Sequence, residues 1–381
     1  MNQIEILKKM VGIPSYLDKE TNEIVLGHFV FELLSGISGL EVERQFVEGD
    51  RFNIYAYTSK TPKLLLSSHL DTVQPKDGWD SNYLEVIEKD KKIFGLGAAD
   101  TKGGGACLLA SLLEYDGVLP DGLGILFYID EEYDFKGMKS FVESNNLEKL
   151  EVAVCTEPSD LKAWIANRGI VELSFKARGI SGHAANPDNG VNAISKFYMA
   201  YNELLAYLKD FYNPLLKNTT VNLAFLQGGV KVSQDKDVVV FSKSGNNIAD
   251  YIEGIIELRI SNPELNDDLI KKVFTDFLQK NSLKEIEVNI NHILRPLIND
   301  EKIFLQVVKN LSIAGRPIEI LNPETIGYTD AEIIKSKKDC LAFAFGPIGG
   351  NLHSANEWVD IDSLEKTKIF FKDLIREVIG N

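Results

Sequence analysis

The chain has 381 residues, with 41 Lys and Arg against 56 Asp and Glu, giving a formal charge of −15. That balance repels nucleic acid and anionic membrane. Hydrophobic residues make up 44% and charged residues 25%, as in a soluble globular protein, and no apolar run reaches the length of a membrane span. A chain this long exceeds one ordinary core, so two domains are expected.

The first segment, MNQIEILKKMVGIPS, reads as a helix: Ile4, Leu7 and Val11 share a face and Pro14 ends the pattern. Glu5, Lys8 and Lys9 interrupt it as a signal peptide. Cys107, Cys155 and Cys340 are odd in number, far apart and without a CxxC pair. They indicate neither a disulfide framework nor a thiolate zinc site, and a cytoplasmic protein is expected. His28, in IVLGHFVFELL, sits in a helical stretch and reads as structural.

Short apolar runs at 64–68, 124–129 and 151–155 are predicted as buried strands, with helices at 103–116 and 137–149 between them. That alternation implies an α/β sheet with helices on both faces. From Arg168 the texture changes to half-exposed strands. GIVELSFKARG is followed by a helix near 191–209, a strand near 220–227, IEGIIELRI, a helix near 265–280 and EIEVNI. This β-α-β-β-α-β order predicts a ferredoxin-like unit. The α/β texture resumes after Pro296 with a strand at 341–346 and a closing helix from Ile361. The expected organisation is an α/β domain of 1–167 plus 295–381, interrupted by an inserted α+β domain of 168–294.

Five stretches carry chemistry. In SSHLDTV, His69 and Asp71 are two apart at a strand end and share a side. Such a pair suits a metal-binding imidazole with a carboxylate beside it, and equally a surface histidine near an aspartate. GLGAADTKGGG has Asp100 where a dinucleotide loop needs glycine, and no glycine directly before Lys102 as a P-loop requires. It reads as a metal ligand on a pliable backbone or as a plain Gly-rich loop. In YIDEEYD, Asp130, Glu131, Glu132 and Asp134 follow a strand. Carboxylates so close resist joint ionisation, a cost that a bound cation removes and a solvated turn avoids. Glu157 stands at another strand end, and His353 lies in the Gly-rich loop of FGPIGGNLHSANE. Together these place two histidines and several carboxylates at the C-terminal ends of strands, where open α/β sheets bind ligands. Nitrogen and carboxylate donors without thiolate suit hydrolytic zinc.

The stretches SSHLDTV, GLGAADTKGG, IDEE, TEPSD, GISGHAANPDNGVNAI and FGPIGGNLHSANE, in this order and spacing, resemble those of one family. It is the zinc-dependent acetylornithine deacetylase, succinyl-diaminopimelate desuccinylase, aminoacylase and carboxypeptidase G family. The resemblance covers essentially the whole chain. It implies two zinc ions per subunit, with cobalt or manganese as substitutes, bridged by Asp100. His69 and Glu157 would complete one site, and Glu132 and His353 the other. It further implies Glu131 as general base, Asp71 as partner of His69, and a cis peptide between Asp100 and Thr101. The inserted domain would serve as lid and homodimer interface, with His183 reaching the partner's active site to stabilise the oxyanion. Arg259 would bind the substrate carboxylate, and Asn246 and Asn247 match a polar lid segment, although Ala249 stands where many members have proline. Glu157 fits the acylase and carboxypeptidase type better than aminopeptidase relatives. The implied reaction removes the acyl group from a small N-acyl amino acid, the alternative being a dipeptidase or carboxypeptidase. His292 matches no motif.

Overall fold

The apolar runs of the first half become strands buried along their whole length: Leu64–His69, Leu123–Tyr128, Val152–Cys155 and, late in the chain, Leu341–Ala344. The structure is a computed structural model describing residues 1–235, 238–242, 244–323 and 327–380. These four strands pair in parallel, in the order 123–128, 64–69, 152–155, 341–344. An antiparallel hairpin, Glu41–Glu48 and Arg51–Tyr57, extends one edge and makes the sheet mixed. Burial on both faces explains why the parallel strands read as continuous hydrophobic runs rather than alternating ones.

Helices cover both faces. Lys102–Leu113 packs between Gln3–Val11 and Ile361–Ile379 on one, and Lys136–Ser144 against Ala331–Lys337 on the other. The helix predicted at 137–149 is shorter, because Asn145 turns extended and its side chain donates to the Phe141 carbonyl (2.9 Å). Asp360 caps the closing helix by accepting from the Ser363 amide (2.7 Å). His28 packs edge-on against Phe52 at 5.3 Å between ring centres.

The chain divides into two compact units. The first is Met1–Ile165, Ile298–Asn322 and Thr329–Asn381, and the second is Ala166–Leu297 with Pro323–Tyr328. In the second, Gly169–Arg178, Thr220–Asp235, Tyr251–Ile260 and Lys284–Leu294 form an antiparallel sheet, joined at one edge by Val238–Ser242. The four main strands lie in the spatial order 4-1-3-2, with helices Ala193–Leu208 and Asp267–Lys280 as the two crossovers, so the unit is ferredoxin-like as expected. His292 sits on the edge strand, in register with Glu172.

Phe175 is the centre of this second core. It is 1% exposed, stacks on Phe197 at 4.8 Å and meets Phe274 edge-on at 5.5 Å. Phe175→Ala is expected to destabilise the unit by about 3–5 kcal/mol. Denaturant unfolding checks this, and a loss below about 1 kcal/mol would mean that the core collapses around the gap.

Candidate metal centre

The parallel strands deliver their chemistry at one edge. His69 is the last residue of its strand, Glu131 and Glu132 follow Leu123–Tyr128, and Glu157 follows Val152–Cys155. Asp100 precedes the helix Lys102–Leu113, and the Asp100–Thr101 peptide is cis. His353 lies between strands Gly349–Gly350 and Trp358–Asp360 with φ +56°.

These residues meet around Asp100. His69 Nε2 is 3.2 Å from Asp100 Oδ1, and His353 Nε2 is 3.3 Å from Oδ2 of the same carboxylate. His353 Nε2 also lies 3.1 Å from Glu132 Oε1. Donor atoms of His69, Asp100 and Glu157 all fall within 4.8 Å of one another, and so do those of Asp100, Glu132 and His353. Asp100 is common to both groups. A third grouping joins His69, Glu131 and Glu132.

Without a cation the cluster is electrostatically awkward. Burial raises Glu131 and Glu157 well above the usual carboxylate range and raises Glu132 as well, and neighbouring carboxylates add to each. Asp100 goes the other way: burial would raise it, but its bonds to His353 and His69 hold it below its usual value. His69 is pulled down by burial and, more strongly, raised by Asp100 and the carboxylates around it. Asp100 and Glu132 push His353 up to about 10. Glu157 Oε1 is buried with no hydrogen-bond partner among the described residues. Close-set carboxylates, the buried His69 and exposed His353 imidazoles, a shared aspartate and an unsatisfied oxygen form a donor set that fits divalent cations of the zinc class.

A second layer fixes these groups. Asp71 orients His69 through its main chain: the partner of His69 Nδ1 is the Asp71 carbonyl at 3.0 Å, while the carboxylate is 3.8 Å away. The Asp71 carboxylate instead accepts from the amides of Glu131 (3.1 Å) and Glu132 (2.9 Å). Four further residues were not singled out from sequence. Arg51 joins Glu23 (2.6 Å) to Asp130 (2.7 Å), directly before Glu131. Glu357 is pushed up to about 7 by burial, against the loop amides that bond it. Lys102, 1% exposed, donates to the Ile13 carbonyl (2.9 Å) and is driven down to about 7 by burial. Asp330 is fully buried with both carboxylate oxygens unpartnered among the described residues. Burial drives it well above its usual range, with His69 and Asp71 among the charges it feels. Arg51, Glu357 and Lys102 reach their partners across long sequence separations, which no local pattern announces.

The remaining predicted residues belong to the second unit. His183 and Asn247 form a β-bridge, and the Ala184 amide donates to the Asn246 carbonyl (2.8 Å). The His183 Nδ1 accepts from the Ala185 amide (3.1 Å), so in the neutral ring the proton sits on Nε2. Arg259, on the strand Tyr251–Ile260, donates from Nε to Glu257 (2.8 Å).

Known proteins share this arrangement of sequence and fold. The model of Peptidase family M20/M25/M40 matches residues 65–377. An acetylornithine deacetylase from Pectobacterium carotovorum is 32% identical over 59% of this chain, and the match spans 62% of that protein's length. A probable carboxypeptidase from Aspergillus clavatus is 31% identical over 70% of this chain and 68% of its own. The fold of a Staphylococcus aureus tripeptidase matches with a TM-score of 0.70, covering 100% of this chain and 98% of that one at 21% identity. With a family match that runs from the strand holding His69 to the closing helix, this chain belongs to Peptidase family M20/M25/M40.

Proposed function

We propose that this protein removes the acyl group from a small N-acyl amino acid, using two zinc ions held by His69, Asp100, Glu132, Glu157 and His353. The observation that carries this reading is the pair of donor groups with Asp100 in common. Similarity to acetylornithine deacetylases favours a deacylase, and the probable carboxypeptidase from Aspergillus clavatus keeps a dipeptidase or carboxypeptidase as the second reading. The two units correspond in this reading to a catalytic domain, 1–167 and 295–381, and an inserted lid and dimerisation domain, 168–294.

When bound, the metal ions supply Lewis acidity, which polarises the scissile carbonyl and makes an attacking water acidic. Glu131 takes the proton from that water and returns it to the leaving amine. Asp71 fixes Glu131 by accepting from its amide (3.1 Å). His183 presents its Nε2–H to the developing oxyanion of the partner subunit's substrate. Arg259 binds the substrate carboxylate, released for the purpose from Glu257, and Asn246 and Asn247 supply polar lid contacts.

Homodimerisation through the inserted domain draws support from an exposed apolar set on that unit. Tyr198 and Met199 are exposed on the helix Ala193–Leu208, as are Phe225 and Leu226 on the strand Thr220–Asp235. Among the described residues, the Val238–Ser242 strand pairs only with 230–235 of that strand, leaving its first half as an edge. Sedimentation as a monomer at micromolar concentration would contradict the pairing.

The deciding assay presents N-acetylornithine, N-succinyl-diaminopimelate and simple dipeptides to the zinc-loaded enzyme. Highest kcat/KM on an acyl amino acid supports the deacylase, and highest kcat/KM on a dipeptide replaces it with the second reading. Arg259→Ala should raise KM by roughly 10- to 100-fold, the worth of hydrogen bonds to a charged group, with kcat changed far less. An unchanged KM removes Arg259 from the substrate site.

A further inference from the structure

Glu357 has no function in the reaction derived above, and its surroundings are unusual for a loop residue. It is 2% exposed, and a buried carboxylate is costly unless its oxygens are satisfied. Here three main-chain amides satisfy it, all from the segment that ends at Asp100. Oε2 accepts from Gly97 (2.8 Å), and Oε1 accepts from Ala99 and from Asp100 itself (2.9 Å each). The Glu357 carbonyl accepts from the Gly95 amide (3.1 Å).

The chain context explains the placement. Strand Trp358–Asp360 pairs antiparallel with Lys92–Phe94, which brings the segment after His353 alongside the segment before Asp100. Pairing of strands ends at Phe94, and the Glu357 side chain continues the connection from Gly97 to Asp100. The segment it grips is tightly fitted: Gly97 has φ +75°, and a Cβ there would lie 2.5 Å from the Thr72 Cγ2. One carboxylate thus ties Asp100, common to both donor groups, to a segment four residues from His353.

We propose that Glu357 is a positioning residue that presets the Asp100 carboxylate between the two metal positions by clamping the amides of Gly97, Ala99 and Asp100. The inference rests on the reading of Asp100 as the shared ligand. A neutral amide in its place cannot reproduce the clamp, because its NH2 group faces N–H donors and leaves at least one of them unpaired.

The test is zinc titration of metal-free protein against a competing chelator, well below the unfolding temperature. Wild type, Glu357→Gln and Glu357→Asp are compared, with folding checked by circular dichroism. Glu357→Gln should bind zinc roughly 10- to 100-fold more weakly than wild type, the usual cost of losing a group that orients a ligand. Its kcat should fall with KM within about twofold. Glu357→Asp, which keeps the charge on a shorter arm, should recover part of the affinity. A folded Glu357→Gln protein with wild-type zinc affinity overturns the inference. So does failure of both variants to fold, which would make the carboxylate a folding residue. Wild-type protein that binds no zinc would instead overturn the metal reading itself, a result visible before any variant is examined.

Discussion

Glu131→Gln should lower kcat by roughly two orders of magnitude or more while leaving bound metal unchanged. The amide keeps the size of the side chain and the main-chain bond to Asp71, but cannot accept and return a proton. Metal analysis is the informative half of the experiment. Donor atoms of Glu131 also fall within 4.8 Å of those of His69 and Glu132, so geometry alone allows Glu131 as a ligand. Loss of metal from the variant would make it one and would vacate the role of general base. Retained metal with near-normal kcat would show that another group moves the proton, and Asp330, buried beside the same charges, would be the first to examine.

Asp100→Ala should have a larger effect still. Asp100 touches both histidines, and both donor groups include it, so its loss should weaken both metal positions together. Several kcal/mol of transition-state stabilisation depend on the metal, so activity should drop by roughly a thousandfold or more. His353→Ala removes a donor from one group only and should leave tight binding of one ion per chain. Two ions retained by Asp100→Ala, counted by metal analysis of the dialysed protein, would contradict a shared ligand.

Much of this centre was legible in the sequence for a simple physical reason. Parallel strands buried on both faces read as short apolar runs, and their C-terminal ends then mark the ligand-binding edge. His69, Glu131, Glu132 and Glu157 stand at or just beyond such ends. The order of strands and helices likewise announced the ferredoxin-like unit, because alternating strands keep one polar face. The hairpin Glu41–Glu48 and Arg51–Tyr57 was not picked out, although EVERQFVE alternates and Gly49, with φ +57°, marks its turn. Finer relations were not legible. Spacing puts Asp71 beside His69 but cannot tell that the carbonyl reaches the imidazole while the carboxylate reaches the amides of Glu131 and Glu132. Glu357 reads as one more acid in a polar loop, and its partners lie 257 to 260 residues earlier. Arg51 and Asp130 are 79 residues apart and meet only because the edge hairpin folds against the strand leading to Glu131.

The most direct test is stepwise return of zinc to a verified metal-free preparation, following bound metal by mass spectrometry and hydrolysis of an N-acyl amino acid in the same samples. The account predicts two ions per chain at saturation, no activity in the metal-free protein and full activity only once zinc is restored. Full activity without metal, or a folded protein that binds no zinc at these residues, would contradict it.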